Sequence, residues 1–374
     1  MIYLDNAATT LQKPKAVINA VDEWISYKSA NPGRGGHRAS LAASEKVYEC
    51  RELIAKLFNI EKPENIIFTL NTTMALNIAI NGFVSRNSHI VISGMEHNSV
   101  YRPIVNSGCR FTIAEPDPSG FVSLESVKAA VRPDTSLIII THASNVVGTI
   151  NPITEIGAFA KSRRIPLLVD AAQTAGVLDI DVQRDGISML AFAGHKMLFG
   201  PTGTGGLYVS PDITLKPFIF GGTGSVSESA YQPDFMPDRF ESGTLNVIGI
   251  AGLCEGVKFV LKNSAIAIRK YEQALTDRLL SNLNNIDGIT VFGGIQRVGV
   301  ASFSTDGLDS VAVCNMLDEM NIAARGGLHC APLAHRSLGT DGGLARLSVS
   351  CFNSKRDVDE ASDAVYRISK LAKK

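Results

Sequence analysis

The chain has 374 residues, of which 45% are hydrophobic and 19% charged, and its 36 basic side chains balance 36 acidic ones. Disordered chains combine low hydrophobicity with high net charge, so this composition excludes that class. A formal net charge of zero provides no basic field, so we expect no nucleic-acid partner and no membrane partner. At about 150 residues per domain, the length predicts two domains.

Short apolar runs alternate with segments of helical spacing from about residue 65 to residue 209. Nearly continuous runs of Val, Ile and Leu are typical of strands buried on both faces, and their alternation with helices predicts an α/β fold with a mainly parallel sheet. The predicted strands lie at 66–68, 89–92, 110–113, 137–140, 167–169, 189–193 and 206–209. Helices are predicted between them at 72–81, 124–130 and 154–161.

The pattern changes after about residue 255. We predict one long helix over 257–283, followed by a shorter α/β mixture that finishes in a solvated helix end at 370–374. Residues 16–255 are therefore predicted to form a large domain, and residues 1–15 together with 256–374 a smaller one.

The six cysteines and the first ten residues of the sequence indicate where in the cell the protein is expected. The cysteines form no Cys-x-x-Cys pair and do not cluster, so neither a structural zinc site nor a disulfide framework is indicated. The chain opens MIYLDNAATT, without the basic and long apolar segments of a secretory signal. No apolar run approaches the ~20 residues of a membrane helix. We therefore expect a cytoplasmic protein with reduced thiols.

The strand at 167–169 leads directly into Asp170, Ala171, Ala172 and Gln173. Ligands of parallel α/β sheets bind beyond the carboxyl ends of the strands, so Asp170 is a candidate for ligand chemistry. The alternative is that Asp170 caps the N-terminus of a helix, which is a frequent role of Asp.

The strand at 189–193 leads into Gly194, His195 and Lys196. A lysine held among apolar residues has a lowered pKa that suits Schiff-base chemistry, whereas the alternative is an exposed turn lysine. The glycine-rich stretch 203–206 precedes a strand instead of joining a strand to a helix, so we reject a dinucleotide-binding loop. Lys196 and Asp170 together point to pyridoxal phosphate, which needs a lysine for attachment and an acid opposite its ring nitrogen.

A series of motifs makes nearly the whole chain resemble the class V aminotransferases of pyridoxal-phosphate fold type I. Within that family, the chain is similar to the group II cysteine desulfurases and selenocysteine lyases. The motifs are YLDNAATT at 3–10, NTT at 71–73, EHNS at 96–99, SNVVG at 144–148, DAAQ at 170–173, GHK at 194–196, FESGT at 240–244 and RGGLHCA at 325–331. The resemblance implies a large domain with a seven-stranded, mainly parallel sheet flanked by helices, and a smaller α/β C-terminal domain.

The resemblance also implies a role for each matched residue around the cofactor. Lys196 would bind pyridoxal phosphate and move the Cα proton, Asp170 would hold the pyridinium nitrogen, and Gln173 would contact the ring O3′. His97 would stack on the ring face, and Asn145 would face the substrate and the O3′ region.

The phosphate group has its own implied set of residues. Thr72, Thr73 and His195 would bind it with the help of amides at a helix N-terminus, where the helix dipole favours anions. Thr244 resembles the residue that reaches the phosphate of the neighbouring subunit, so a homodimer is implied.

The substrate site implied by the resemblance contains Arg346, Asn145, Arg325 and His37. Arg346 matches the arginine that binds the substrate carboxylate, and a planar guanidinium suits that role because it binds carboxylates in a bidentate manner. The alternative for Arg346 is a structural ion pair.

Two positions depart from the family pattern. Ala193 stands where family members often have Ser, so one hydroxyl contact to the phosphate is missing, a loss worth about 1.5–3 kcal/mol unless another donor replaces it. Leu328 stands where group II enzymes often have His, although the cysteine two residues later is kept.

Cys330 is the residue that distinguishes the possible activities. A sulfur-accepting thiol must be reachable and must lie near cationic groups, and Arg325, His329 and His335 are close to it in sequence. The alternative is an inert, partly buried cysteine. A zinc site of His329, Cys330 and His335 lacks a fourth ligand, so no metal is expected.

These observations predict a cysteine desulfurase that converts L-cysteine to L-alanine, transfers the sulfur to Cys330 as a persulfide, and passes it to an acceptor such as a sulfur-acceptor protein. One alternative is a selenocysteine lyase acting on L-selenocysteine, because the weaker C–Se bond makes the nucleophilic cysteine less necessary. A second is a class V aminotransferase that acts on another small amino acid and needs a keto acid. A third is a catalytically silent scaffold that binds the cofactor, against which the intact Lys196, Asp170, Gln173 and Arg346 argue.

Overall fold

A computed structural model describes residues 1–33 and 35–371, so the predicted helix end at 372–374 lies outside the described residues. The helices are α1 (Lys15–Glu23), α2 (Arg38–Phe58), α3 (Thr72–Phe83), α4 (Asn98–Ser107), α5 (Leu124–Ala130), α6 (Ile153–Ser162), α7 (Val247–Asn263), α8 (Ala265–Asn284), α9 (Ser310–Glu319), α10 (Pro332–Leu338) and α11 (Lys355–Leu371). A π-helical turn (Trp24–Lys28) follows α1, and a 3₁₀ turn (Pro63–Asn65) follows α2. The strands are β1 (Ile2–Tyr3), β2 (Ile66–Thr69), β3 (His89–Ser93), β4 (Arg110–Ala114), β5 (Thr135–Thr141), β6 (Leu167–Asp170), β7 (Met189–Ala193), β8 (Gly205–Val209), β9 (Ile289–Phe292), β10 (Val300–Thr305), β11 (Ile322–Ala323) and β12 (Ala345–Ser348).

The predicted α/β fold with a mainly parallel sheet is confirmed. Within the described residues, seven strands form one sheet in the order β2-β8-β7-β6-β5-β3-β4. The pairs from β4 through β7 are parallel, and β8 runs antiparallel to both of its neighbours. The carboxyl ends of the parallel strands therefore meet at one edge of the sheet, where ligands of such folds bind.

The central strands are apolar on both faces because helices cover both sides of the sheet. Leu167 and Val169 of β6 point into one hydrophobic cluster, whereas Leu168 between them points into a second cluster on the other face. This alternation follows from the two-residue period of a strand. Continuous apolar runs in the sequence are thus explained by burial on two sides.

A third hydrophobic cluster joins the N-terminal strand to the C-terminal part of the chain. β1 pairs with β11, and Leu4 packs in a cluster with residues of α8, α9, α11 and the antiparallel sheet β12-β10-β9. This arrangement is compatible with a smaller domain built from both ends of the chain. The predicted boundary at residue 255 falls inside α7 and stays a prediction.

The predicted single helix over 257–283 is wrong. The structure has two helices there, α7 and α8, separated at Ser264, whose φ of 66° and ψ of 128° interrupt the helical backbone. α7 also begins earlier than predicted, at Val247, where Asn246 accepts a hydrogen bond from the amide of Gly249.

Among the described residues, none of the helices combines the length and the apolar character that a membrane-spanning segment requires.

Candidate active site

A cavity of about 100 Å³ lies at the carboxyl edge of the main sheet, next to the ends of β5, β6 and β7 and the N-terminus of α3. Eight of the predicted cofactor and substrate residues line it: Thr72, Thr73, His97, Asn145, Asp170, Gln173, His195 and Lys196. They come from five separate motifs of the sequence. The parallel sheet brings them together because each motif follows a strand or begins a helix at this edge.

Asp170 and Lys196 are the two charged side chains of this cavity, and burial affects each of them. Burial lowers the pKa of Lys196 to about 8, although the nearby Asp170 opposes this shift. Burial also raises the pKa of Asp170, while the amide of Ala172 and then Lys196 favour its charged form. A lysine with this pKa has a substantial neutral fraction near pH 8, which amine nucleophiles require.

The alternatives for these two residues do not fit the structure. Asp170 accepts a hydrogen bond from the amide of Ala172 at 2.9 Å, but no helix of the described chain begins between β6 and β7. Lys196 lines the cavity and is not an exposed turn lysine.

Residues near the N-terminus hold the backbone on which Lys196 stands. Thr10 donates its hydroxyl to the carbonyl oxygen of Lys196 at 2.8 Å, and Lys13 donates its ammonium group to that of His195 at 2.9 Å. The ring Nδ1 of His195 lies 3.0 Å from the hydroxyl of Thr9. Sequence reasoning missed these contacts, although two of the residues lie in the YLDNAATT motif.

The end of the cavity at α3 is suited to an anion. Asn71 caps this helix by accepting from the amide of Met74, so Thr72 and Thr73 occupy the first two helical positions, whose amides lack helical partners. The hydroxyl of Thr72 is buried without a hydrogen-bond partner among the described residues. Thr73 contacts Ser99, a cavity residue that sequence reasoning missed, at 2.8 Å between hydroxyl oxygens.

His97 lines the cavity as a neutral ring. Burial, followed by the charge of Lys196, lowers the pKa of His97 to about 4. Its Nδ1 accepts a hydrogen bond from the amide of Ser99 at 3.0 Å, which fixes the ring at the N-terminus of α4. A neutral, fixed imidazole can pack flat against an aromatic ligand without a charge to solvate.

Gln173 is buried and lines the same cavity. Its Nε2 donates to the carbonyl oxygen of Ala7 at 3.0 Å, a further contact with the N-terminal segment. Because this contact uses only one of the two amide hydrogens, the second remains for a ligand in the cavity.

Arg346 is not among the residues that line the cavity. It is fully buried, its Nη2 donates to Asp5 at 2.9 Å, and its Nη1 donates to the backbone oxygen of Asn145 at 2.8 Å. Its Nε has no partner among the described residues. The ion-pair alternative for Arg346 is thus present in the structure, and three of its five N–H hydrogens remain, the Nε–H among them.

Arg325 and His37 also lie outside the cavity lining. Arg325 is half-exposed and binds the other side of Asp5, with 2.9 Å between its Nη2 and the carboxylate. His37 is exposed and caps α2 by accepting from the amide of Ser40 at 3.2 Å. Asp5, which joins both arginines, had no predicted role.

Replacing Asp5 with asparagine should lower the free energy of unfolding by about 3–5 kcal/mol, because it leaves Arg346 buried without a counterion. The measurement is urea denaturation followed by circular dichroism. The matched control is Arg325→Ala, which removes the half-exposed partner of the same carboxylate and should cost about 1 kcal/mol or less. Equal losses in the two variants would show that the buried Asp5–Arg346 pair is not the stabilising contact.

Cys330 is the one exposed cysteine among the described residues. The backbone oxygen of Cys330 accepts from the amide of Asn98 at 2.8 Å, next to His97 of the cavity. His329 and His335, which are close to Cys330 in sequence, do not act as cations beside it. Both are buried, and burial lowers the pKa of His329 to about 2 and also lowers that of His335. Arg325 is the cation near this thiol.

Thr244 lies apart from the cavity in the same chain. It is exposed and borders two other depressions of the surface, together with Leu245. Several large apolar side chains near it in sequence are also exposed: Phe218, Ile219, Phe220, Tyr231 and Phe235.

A fold of this kind with a lysine and a carboxylate in one cavity at the sheet edge is typical of an enzyme that carries its cofactor on a lysine. The model of the family described as aminotransferase class-V matches residues 2–361. The chain belongs to this family, whose members are pyridoxal-phosphate-dependent enzymes.

Individual relatives of the chain carry names that are more specific than that of the family. The chain is 34% identical to a probable cysteine desulfurase of Methanothermobacter thermautotrophicus, over 98% of this chain and 94% of the relative. It is 33% identical to a cysteine desulfurase of Yersinia pestis, over 99% of this chain and 94% of the relative. The apo structure of a cysteine desulfurase from Thermococcus onnurineus superimposes with a TM-score of 0.92 at 33% identity, covering 99% of this chain and 95% of that one.

Proposed function

We propose that this chain is a pyridoxal-phosphate-dependent cysteine desulfurase that releases L-alanine and takes the sulfur of L-cysteine onto Cys330. The observation that carries the proposal is the combination of Lys196 and Asp170 in one cavity with an exposed thiol whose turn is bonded to the edge of that cavity. Relatives with this printed activity, aligned along almost the entire chain, support it.

The cavity fits pyridoxal phosphate on three counts. The N-terminus of α3 and the unpartnered Thr72 hydroxyl suit the phosphate group. The Thr72 hydroxyl is a donor for the phosphate group, whereas Ala193, at the position where family members often have serine, has no side-chain donor. Asp170, buried with an elevated pKa, suits a protonated ring nitrogen, and Lys196 is the amine that would hold the aldehyde.

When bound, pyridoxal phosphate supplies an electron sink for the Cα of an amino acid. Lys196 would hold and move a proton at its Nζ, for which a pKa of about 8 is well matched to neutral or slightly alkaline solution. Asp170 would keep a proton on the ring nitrogen by charge, and His97 would pack as a neutral ring. Arg346, with its remaining Nε–H, would bind the substrate carboxylate.

Cys330 would carry out the sulfur transfer. Its thiolate attacks the sulfur of the bound cysteine, so that an S–S bond forms at Sγ while the bond between Cβ and sulfur breaks. The electron pair of the broken bond stays on Cβ. This carbon then takes up a proton and becomes the methyl group of alanine, which is released. The half-exposed Arg325, which is paired with Asp5, is the cation near Cys330.

The proposal includes a homodimer and a sulfur acceptor. Exposed apolar side chains between Phe218 and Phe235 are the kind of surface that a second subunit covers. Thr244, exposed near this surface, would then reach the cofactor phosphate of the partner. The persulfide on the exposed Cys330 would pass to an acceptor such as a sulfur-carrier protein.

The test is an assay of purified, cofactor-loaded protein with cysteine and, separately, selenocysteine, in which alanine and the released sulfur or selenium are measured together. Equimolar alanine and sulfide from cysteine, in the presence of a reductant, is the expected result. Release of selenium only would instead identify a selenocysteine lyase. Amino transfer that depends on a keto acid would identify an aminotransferase, and binding of the cofactor without turnover would identify a scaffold.

A further inference from the structure

Asn145 connects the buried arginine with the segment that carries Cys330. Its Nδ2 donates to the carbonyl oxygen of His329 at 2.7 Å. Its own backbone oxygen accepts from Nη1 of Arg346 at 2.8 Å. Although Asn145 lines the cavity, its side-chain amide is therefore already bound to the backbone of the residue before Cys330.

The Cys330 turn, which we define as residues 327–331, has a backbone that its side chains disfavour. Gly327, His329 and Cys330 have φ angles of 101°, 49° and 55°. Glycine adopts such angles readily, but His and Cys do so at a steric cost. Two consecutive residues of this kind persist only when neighbouring groups hold them.

The groups that hold the turn come from two directions. On one side, the amides and carbonyls of Gly327 and Leu344 bond to each other, which joins the turn to the segment that leads into β12, and the His329 ring contacts the oxygen of Leu344 at 3.0 Å. On the side of the cavity, the contacts are the Asn145 amide and the backbone amide of Asn98 at the first position of α4. Those two contacts bind the oxygens of His329 and Cys330, the two strained residues.

We propose that Asn145 is a positioning residue for sulfur transfer. Together with the amide of Asn98, it binds the backbone of the Cys330 turn and so fixes the position of Sγ. The thiol is then presented on a preformed turn anchored to the cavity wall. This inference rests on the proposed function, because the position of Cys330 affects turnover only if Cys330 accepts the sulfur.

Two variants remove one anchor each. Asn145→Ala removes the Nδ2 donor but keeps the backbone oxygen that binds Arg346. Asn98→Pro removes the amide that binds the Cys330 oxygen, at a position where the helix tolerates proline. The preceding residue, His97, already has the extended backbone that a following proline requires, with φ of −70° and ψ of 157°. Asn98→Ala is the matched control, since it keeps the amide.

The first readout is hydrogen exchange followed by mass spectrometry, on the cofactor-loaded protein without substrate. We expect faster exchange confined to peptides that span 325–335 in Asn145→Ala and Asn98→Pro, and exchange like that of the unmodified protein in Asn98→Ala. The second readout is steady-state turnover of cysteine. Both anchor variants should lose kcat several-fold with a smaller change in KM, because the thiol and not the substrate is displaced.

The outcomes separate the inference from the proposed function. If Asn145→Ala raises KM alone and leaves exchange of the turn unchanged, Asn145 acts on the substrate and the inference is overturned. If the unmodified protein forms no persulfide from cysteine, the proposed function is overturned, and the role in sulfur transfer with it, whatever the exchange experiment gives.

Discussion

Replacing Lys196 with alanine should abolish the visible absorbance of covalently bound pyridoxal phosphate while the chain stays folded. Lys196 is the lysine that lines the cavity, and its charge interacts with that of Asp170, which lines the same cavity. Without this amine, the aldehyde has no partner for a covalent bond there. Turnover should fall by about 10²–10⁴-fold or more, because the same group would transfer the Cα proton.

Lys13→Ala is the control for this experiment. Lys13 is also a partly buried lysine with a pKa lowered to about 8. It lies near Lys196 because its ammonium group donates to the backbone oxygen of the preceding residue, His195. Its replacement should leave the absorbance in place. Absorbance that persists in Lys196→Ala but disappears in Lys13→Ala would move the attachment site to Lys13.

Replacing Cys330 with serine should reduce sulfide release from cysteine by more than about 10³-fold, the scale seen when a nucleophile is removed. A serine hydroxyl is not ionised near neutral pH, so it cannot attack the substrate sulfur as a thiolate does. Because the serine keeps the size of the side chain and the turn is held by backbone contacts, folding and cofactor absorbance should be unaffected. The measurement is sulfide and alanine formation over time.

Cys351→Ser provides the comparison for this variant. Cys351 is half-buried, and burial raises its pKa to about 12, so it should be a poor nucleophile. Desulfuration by Cys351→Ser should therefore match that of the unmodified protein. Undiminished sulfide release by Cys330→Ser would remove Cys330 from the mechanism, and selenium release that survives in the same variant would favour a selenocysteine lyase.

The main sheet could be predicted because its strands are apolar on both faces. A run such as Leu167 to Val169 is too short for a membrane helix and too continuous for a strand with one face in water. The break at Ser264 could not be predicted in the same way. Apolar residues continue on both sides of it, in Val260 and Ile268. Serine is a common N-cap residue, but it also occurs inside helices, so a single Ser264 does not by itself mark the break.

The eight predicted residues that line the cavity could be brought together from the sequence because each one lies in a short motif next to a strand end or a helix start. Arg346 could be identified in this way too, but its surroundings could not. Its counterion, Asp5, is 341 residues away, and no local pattern pairs the two. The charge state of His329 could not be predicted for a similar reason, since its burial depends on contacts with Leu344 and His335 that only the folded chain provides.

The contacts of the N-terminal segment link the lysine of the cavity to the buried arginine. Leu4 and Asn6 bond to Ser348 of β12, the strand that also carries Arg346. The same segment contacts the backbone of His195 and Lys196. One short stretch of chain, residues 4–10, therefore holds the backbone on both sides, so a displacement of this stretch would move Lys196 and Arg346 together.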